Sequence, residues 1–236
     1  MAAKTGDRVG PRDTERFFTG GMEQFHHPRR VRNGRGKEYA PTPQRQQLLA
    51  GLGGRVLEIG AGDGVKLSCY PASVEEIVLV ERDPFLQAAA RGIATRIATP
   101  VQIIDGGLRR LPVADGSCEA VVCSLVLCCA VLCCAVLCCA VLCCAVPVEE
   151  TLREVRRVLA PGGELRFYEH QCSGNPVVTL AERLVTPIWS RTYGGCHPGR
   201  DILAAMEKAG YVIESVDRFA FRHFEHVLGI ARPDAG

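Results

Sequence analysis

Short apolar runs alternate with amphipathic stretches along most of the chain. The amphipathic stretches predict helices in TPQRQQLLAGLGG, FLQAAARGIA, PVEETLREVRRVL and RDILAAMEKAG. The apolar runs predict seven strands: RVLEI, EEIVLV, VQII, about Ala120 to Ser124, ELRFYE, YVIESVDRF and FEHVLGIAR. This alternation predicts an α/β fold, a Rossmann-like, doubly wound and mostly parallel seven-stranded sheet with helices on both faces and an antiparallel closing strand.

A glycine-rich turn follows the first predicted strand. Gly60, Gly62 and Gly64 alternate with Ala61 and Asp63, immediately after the apolar run VLEI. Three alternating glycines let the chain turn sharply and let a ligand approach the backbone. Ligands of such sheets bind beyond the carboxyl ends of the strands, which is where this turn lies. The alternative is a tight turn in which the glycines only satisfy backbone geometry.

Two glutamates accompany this turn. Glu58 lies in the strand just before it, where a carboxylate can hold loop amides or meet a ligand ammonium through water. Glu81 ends the next strand, and an acid there can accept hydrogen bonds from both hydroxyls of a ribose. The glycine turn and these two glutamates together indicate a nucleoside ligand. A dinucleotide fingerprint fails because Val65 replaces its third glycine, and GDGVKLS lacks the G-K-[ST] of a phosphate loop.

Four segments in order, VLEIGAGDG, LVERDP, LPVADGSCEAVVCSLVLCC and LREVRRVLAPGGELRFYEH, resemble motifs of class I S-adenosylmethionine-dependent methyltransferases. The resemblance runs from about Arg55 to Arg232. FYEH after PGGELR, with the later YGGCHPGRDILAAMEKAGY, is similar to a small-molecule branch related to methyltransferase-like thiol methyltransferases. It implies methyl transfer from S-adenosylmethionine to a small-molecule nucleophile, with a thiol favoured over oxygen or nitrogen.

The resemblance also implies which residues contact the cofactor. The turn from Gly60 to Gly64 passes its methionine part, and Glu81, followed by Arg82, holds the ribose. Ser124 and Leu125 close over the sulfonium from the end of the fourth strand. The adenine lies beside Asp105, Gly106, Gly107 and Leu108. Gly107 stands where the family often has an acidic residue, so backbone amides are expected to replace a side-chain contact to the adenine amine.

Residues near the end of the fifth strand are candidates for proton transfer. Glu169 and His170 are expected to face one cleft, and the histidine could remove a substrate proton because its pKa is near neutrality. The alternative is that His170 orients a loop. Cys196 and His197 are interpreted as a pocket wall, because two adjacent ligands are too few for a closed zinc site. No metal site is expected.

The first 45 residues differ from the rest of the chain. They hold ten Lys or Arg against five Asp or Glu and have no apolar period. They are interpreted as a solvated, partly disordered arm at residues 1–45, preceding a methyltransferase domain at residues 46–236. No secretory signal is recognised at the start of the chain, and a cytoplasmic protein with reduced thiols is expected. No nucleic-acid partner is expected.

The unit Leu-Cys-Cys-Ala-Val occurs four times in succession, at about residues 127–146, and holds eight of the 13 cysteines. Its paired cysteines do not have zinc spacing, and a membrane span there would interrupt the central strand. Removing three units joins the fourth strand to its helix by an ordinary connection, so we interpret the repeat as a tandem expansion of 15 residues. It is expected to be apolar, helical and prone to self-association.

Two other functions stay open on the sequence. One is a nicotinamide-dependent oxidoreductase on a similar sheet, against which Val65 argues. The other is a cofactor-binding protein that the repeat expansion has inactivated. Binding of S-adenosylmethionine before and after removal of three units would separate this last possibility from an active enzyme.

Overall fold

The computed structural model describes residues 42–126, 148–192, 197, 199–221 and 224–234. The predicted arm up to residue 41, the repeat and Cys196 lie outside the described residues. The first described helix begins at Pro43, three residues before the predicted domain start. The helices are α1 (Pro43–Leu49), α2 (Pro84–Ala94), α3 (Val148–Val158), α4 (Pro176–Thr192) and α5 (Ile202–Lys208), with a 3₁₀ turn at Leu67–Cys69. The strands are β1 (Gly54–Ile59), β2 (Val74–Val80), β3 (Val101–Ile104), β4 (Cys118–Ser124), β5 (Leu159–Gln171), β6 (Tyr211–Phe221) and β7 (Phe224–Pro233).

All the described strands belong to a seven-stranded sheet of order β3-β2-β1-β4-β5-β7-β6. The pairs from β3 to β5 are parallel, while β7 pairs antiparallel with both β5 and β6. The inner strands are apolar on both sides because helices cover both faces of a parallel sheet. The predicted fold class, including its antiparallel closing strand, is confirmed.

Each face of the sheet carries its own apolar cluster. On the first, which we call the α3/α5 face, the buried stripe of α3 packs with Ile202 and Met206 of α5 against Leu57 and Phe167. On the second, the α1/α2 face, Leu48 and Leu49 of α1 and Ala90 of α2 pack against Val56 and Leu79. Side chains alternate between the two faces along each strand. Within one strand, even-numbered residues therefore join one cluster and odd-numbered residues join the other.

The fifth strand begins earlier than the sequence predicts. Pro161-Gly162-Gly163 were expected to end the preceding helix and separate it from a strand over ELRFYE. The helix ends at Val158, and β5 runs from Leu159 through this segment. Cys118 pairs with Leu159, and the next pair is Ala120 with Glu164, so five steps in β5 match two in β4. The surplus residues bulge, with Gly162 at a φ of 77°.

The long helix α4 was not predicted. It spans Pro176–Thr192 and contains Pro187. Its large apolar residues are mostly exposed, among them Val177, Leu184 and Ile188. Among the described residues, no helix is both long and apolar enough to span a membrane.

Candidate functional site

The strand order creates a crevice between β1 and β4. The chain leaves β1 towards β2 and β3 and later returns to β4 on the other side of β1. Such a reversal separates the loops at the carboxyl ends of the two strands, which leaves room for a ligand. The predicted cofactor residues lie at or near the carboxyl ends of β1, β2, β3 and β4, and the predicted base His170 lies near that of β5, so the sheet brings them to one edge.

The glycine turn after β1 depends on the absence of side chains. Gly60, Gly62 and Gly64 have φ values of 63°, 63° and 75°, in the left-handed region that side chains disfavour. The Gly60 N–H donates to the carbonyl of Val80 at 2.8 Å, which ties the turn to the end of β2. A Cβ on Gly60 would lie 2.7 Å from Cγ2 of Val126, which follows β4. The turn is therefore built for close approach.

The two side-chain-bearing residues of the turn point inward. Ala61 is buried in the cluster of the α1/α2 face. Asp63 is also buried, and its Oδ1 accepts a hydrogen bond from the Val65 N–H at 3.3 Å. Asp63 therefore contributes by closing the turn on itself.

Glu81 connects the turn to the end of β2. Its Oε2 accepts a hydrogen bond from the Gly62 N–H at 2.8 Å, and its Oε1 accepts from Arg82 and Asp83 N–H at 2.9 and 3.0 Å. The carboxylate is only 8% exposed. Each carboxylate oxygen has further acceptor capacity, so the oriented group can still accept from ligand hydroxyls. The backbone of Arg82 takes part, while its side chain is exposed.

The segment after β3 was predicted to lie beside the adenine. Its backbone, rather than its side chains, agrees with that prediction. The side chain of Asp105 is exposed. Gly106 packs so closely that a Cβ would lie 2.8 Å from Cδ of Pro112. Gly107 forms an isolated bridge with Arg110, and Leu108 packs against the core of the α3/α5 face. The geometry favours recognition through backbone groups here.

The end of β4 is held in an unusual conformation. Leu125 has a φ of 57°, which is the left-handed region, and among the described non-glycine residues no other has a positive φ. Its N–H donates to the Tyr168 carbonyl at 2.7 Å, and the next N–H, of Val126, donates to Oε1 of Glu169 at 2.9 Å. These two bonds to β5 stabilise the strained backbone beside the buried Ser124.

Glu58 lies in a buried polar group that sequence reasoning missed. Its Oε2 accepts a hydrogen bond from the Tyr70 hydroxyl at 2.8 Å, and its Oε1 lies 2.6 Å from Lys66 Nζ. Burial and the Glu58 carboxylate raise the pKa of Tyr70 well above its ordinary value, so the hydroxyl stays protonated and donates. The sequence signal that could have revealed this group is the occurrence of Lys66 and Tyr70 shortly after the glycine turn.

Glu169 and His170 do not share a cleft, which corrects the prediction. Glu169 is fully buried and lies on the α3/α5 face, in the same alternation as Phe167. His170 is partly buried on the other face, where its ring centre lies 4.4 Å from that of His226 and 5.8 Å from that of Phe224. Adjacent residues of a strand point to opposite faces, so the two side chains are separated by the sheet.

His226 is the buried member of the histidine pair. Its Nδ1 lies 3.1 Å from the Phe224 carbonyl. Burial, and then the nearby His170, lower its pKa to about 4. His226 is therefore neutral near pH 7.

Four cysteines outside the repeat lie in the described part of the chain, and burial suppresses the ionisation of three of them. Cys69, Cys118, Cys123 and Cys172 are free thiols. Burial, with nearby carboxylates, raises the pKa of Cys123 well above its ordinary value, and burial also raises the pKa of Cys118 and Cys172. No group of three His, Cys, Asp or Glu among the described residues is arranged to hold a metal ion.

Comparison with known proteins agrees with this geometry. A family described as "Methyltransferase domain" matches residues 57–131. The human protein named thiol S-methyltransferase TMT1A is 30% identical over 172 residues, which are 70% of this chain and 64% of that protein. The rat thiol S-methyltransferase TMT1B is 30% identical over 161 residues, or 66% of this chain and 59% of that protein. The chain therefore spans less than two thirds of the length of these relatives.

Solved structures show the same fold. A candidate methyltransferase from Bacillus halodurans has a TM-score of 0.62 at 17% identity, covering 80% of this chain and 97% of that one. The sequence likenesses, the strand order and the glycine turn agree with one another. The chain belongs to the class I S-adenosylmethionine-dependent methyltransferase family.

Proposed function

We propose that this protein transfers a methyl group from S-adenosylmethionine to a small molecule, and that the acceptor atom is a thiol sulfur. The curated relatives at 30% identity, both named thiol S-methyltransferases, support the choice of a thiol. The same comparisons favour methyl transfer over the nicotinamide chemistry that the sequence left open.

The cradle between β1 and β4 is the observation that carries the proposal. Its donor set fits the cofactor, because a ribose needs an oriented carboxylate and Glu81 supplies one with remaining acceptor capacity. Gly60 and Gly62 have positive φ values that glycine adopts readily, and the turn they form lies at the carboxyl end of β1, where the ligands of such sheets bind. At the foot of the turn, Glu58 is already paired with Lys66 Nζ at 2.6 Å, which fixes its carboxylate in place.

The bound cofactor supplies an activated methyl group on a sulfonium, so the protein mainly has to align the acceptor and exclude water. Glu81 and the glycine turn fix the nucleoside part. Ser124 and Leu125, held by β5, form the wall of the cleft beside the reacting sulfur. A thiolate is a strong nucleophile, so the remaining requirement is removal of the thiol proton.

His170 is the proposed acceptor of that proton. It lies at the carboxyl end of β5, on the same face of the sheet as Glu58, and His226 beside it stays neutral. A neutral partner leaves His170 free to become charged without repulsion from a second imidazolium. The alternative role, in which His170 only orients a loop, predicts no change in the pH dependence of turnover when it is removed.

The cradle is tested by the substitution Glu81→Ala. We expect the full chain to bind S-adenosylhomocysteine, and the variant to bind it at least about 100-fold more weakly, since the ribose loses its acceptor and the turn loses its anchor. Isothermal titration calorimetry measures both. Glu75→Ala, an exposed glutamate of the same strand, is the matched control and should bind normally. Equal binding by wild type and Glu81→Ala would contradict the cradle.

The acceptor is identified with labelled S-adenosylmethionine and a panel of thiols, phenols and amines. We expect methylation of thiols to exceed that of the other two classes. Calorimetry and turnover are repeated on a chain lacking three of the four repeat units. Turnover only after the deletion would show that the expansion inactivates the enzyme, while binding lost on deletion would contradict our interpretation of the repeat.

A further inference from the structure

The connection between β3 and β4 is held by side chains of α3. It runs from residue 105 to residue 117 and, apart from the isolated bridge between Gly107 and Arg110, forms no helix or strand of its own. A segment without a hydrogen-bond ladder needs other partners for its inward-facing N–H and C=O groups. Glu154 and Arg157, which lie one turn apart on α3, supply such partners.

Arg157 uses all five of its N–H donors in this contact. Its Nη1 donates to the Val113 carbonyl at 3.1 Å and to Oδ1 of Asp115 at 2.6 Å, and its Nη2 donates to the Leu111 carbonyl at 2.9 Å. The other two bonds, from Nε and Nη2, go to the two carboxylate oxygens of Glu154 at 3.0 and 2.7 Å. The guanidinium is a planar fork with fixed donor directions, so it fixes the relative positions of these acceptors.

Glu154 holds the same segment from its other hydrogen-bonding group. Its Oε2 accepts a hydrogen bond from the Leu111 N–H at 2.8 Å. The hydrogen bonds from Arg157 lower the pKa of Glu154, so the carboxylate stays ionised and keeps its acceptor capacity. The Glu154–Arg157 pair therefore holds both backbone groups of Leu111, whose side chain is buried in the core of the α3/α5 face.

The segment held in this way packs against the predicted adenine side. Pro112 stands between the two residues whose carbonyls accept from Arg157. A Cβ on Gly106 would lie 2.8 Å from Cδ of Pro112 and 3.2 Å from Cγ1 of Val80, so Gly106 fits between this ring and the end of β2. A displacement of Pro112 would therefore reach the backbone of Gly106 directly.

We propose that Arg157, together with Glu154, is a positioning residue for recognition of the adenine base. The side chain of Asp105 is exposed and Gly107 has none, so backbone N–H and C=O groups are left to meet the purine edge. Backbone groups discriminate between bases when they are held in place, and the Glu154–Arg157 pair holds them through Pro112. This inference rests on the proposed function, because it requires an adenine nucleoside bound beside residues 105–108.

The test compares two ligands that differ only in the base. S-adenosylhomocysteine carries adenine, whereas S-inosylhomocysteine carries hypoxanthine, which has a carbonyl in place of the amino group and an N–H in place of the neighbouring bare ring nitrogen. Calorimetry on the full wild-type chain should show a preference for the adenine ligand of at least about 10-fold, because hypoxanthine presents a donor and an acceptor to the wrong partners. In Arg157→Met this preference should fall below about 3-fold, since a released backbone can adapt to either base.

Two further variants separate positioning from a general loss of stability. Arg157→Lys keeps the charge but cannot reproduce the planar fork, so its preference should lie between those of Arg157→Met and the wild type. Arg153→Met, which changes an exposed arginine of the same helix, should keep the wild-type preference. A role confined to stability would lower the melting temperature of Arg157→Met and leave the preference of its folded fraction at the wild-type value.

An unchanged preference in Arg157→Met would overturn the proposal, and if that variant does not fold, the same result in Arg157→Lys would do so. A wild type that binds the two nucleosides equally would also overturn it, because there would be no base recognition to position. A wild type that binds neither nucleoside would instead contradict the proposed function.

Discussion

At the carboxyl end of the sheet, the polar residues of the α3/α5 face bind the protein's own backbone, whereas those of the α1/α2 face pair with other side chains. On the first face, Glu169 accepts from the Val126 N–H, and Gln171 accepts from the N–H groups of Ile202 and Leu203. On the second face, Glu58 pairs with the side chains of Lys66 and Tyr70, and the ring of His170 packs against that of His226.

The polar side chains on the two faces of this sheet therefore have different roles. Glutamate side chains of similar burial hold the backbone on one face and pair with other side chains on the other. Burial alone therefore does not distinguish these two uses of a carboxylate. The partners do, since Glu169 accepts from the backbone after β4, whereas Glu58 meets the side chains of Lys66 and Tyr70.

The largest effect is expected at His170, the partly buried member of the histidine pair. His170→Ala should lower the turnover of a thiol roughly 100-fold near pH 7, the range typical of general bases. The loss should shrink as the pH rises through the pKa of the acceptor thiol, because the substrate then ionises without help. Turnover measured from pH 6 to about 10 with one thiol checks this, and an unchanged profile would remove His170 from the mechanism.

A smaller effect, on stability, is expected from the clamp of the other face. Glu169→Ala leaves the Val126 N–H without its acceptor and should reduce the free energy of unfolding by about 2–3 kcal/mol. Glu169→Gln retains an acceptor oxygen and should cost clearly less. Urea denaturation measures both variants. Equal stability of Glu169→Ala and the wild type would show that this hydrogen bond does not hold the end of β4.

An acid-dependent effect is expected from His226. Its pKa in the folded protein is about 4, below the ordinary value of 6.5, so the unfolded chain takes up a proton first as the pH falls. Stability is therefore complete above about pH 6.5 and declines towards pH 4. His226→Phe, which can keep the ring packing with Phe219, should remove a loss on the order of 2 kcal/mol between these limits. Parallel stability curves for variant and wild type would refute this.

The smallest effect is expected at Leu125. Leu125→Ala and Leu125→Gly both remove the side chain, but only glycine relieves the positive φ of 57°. A left-handed residue costs about 1 kcal/mol, so the glycine variant should be more stable than the alanine variant by up to that amount. Paired thermal melts measure the difference. If alanine were equally stable, the backbone of this segment would not be strained.

The fold class and the glycine turn could be predicted from sequence because each depends on local patterns. Apolar runs identified the strands, and the alternating glycines after the first strand located the turn. The parallel arrangement then followed from the strand–helix alternation. Alternation within β5 would also have separated Glu169 from His170, but the two were treated as one cluster because they are neighbours in sequence.

The remaining features depend on contacts that sequence distance conceals. Lys66 resembles an ordinary surface lysine until the turn folds it against Glu58. His226 meets His170 only through the antiparallel register of β5 and β7. The helix α4 lacks a buried stripe and contains Pro187, so it gave no periodic signal, and the bulge at Pro161 to Gly163 looked like a simple stop.

The clamp at the end of β4 also bears on how the chain tolerates its repeat. Val126 is fixed to Glu169 on one side of the repeat, and Val148 is buried at the start of α3 on the other. Between two such fixed ends, lengthening a connection from 6 to 21 residues raises the entropic cost of closing it by only about 1 kcal/mol, because the cost grows with the logarithm of length. Adding three five-residue units at this point therefore costs little free energy of folding. The domain can accept them without changing strand register.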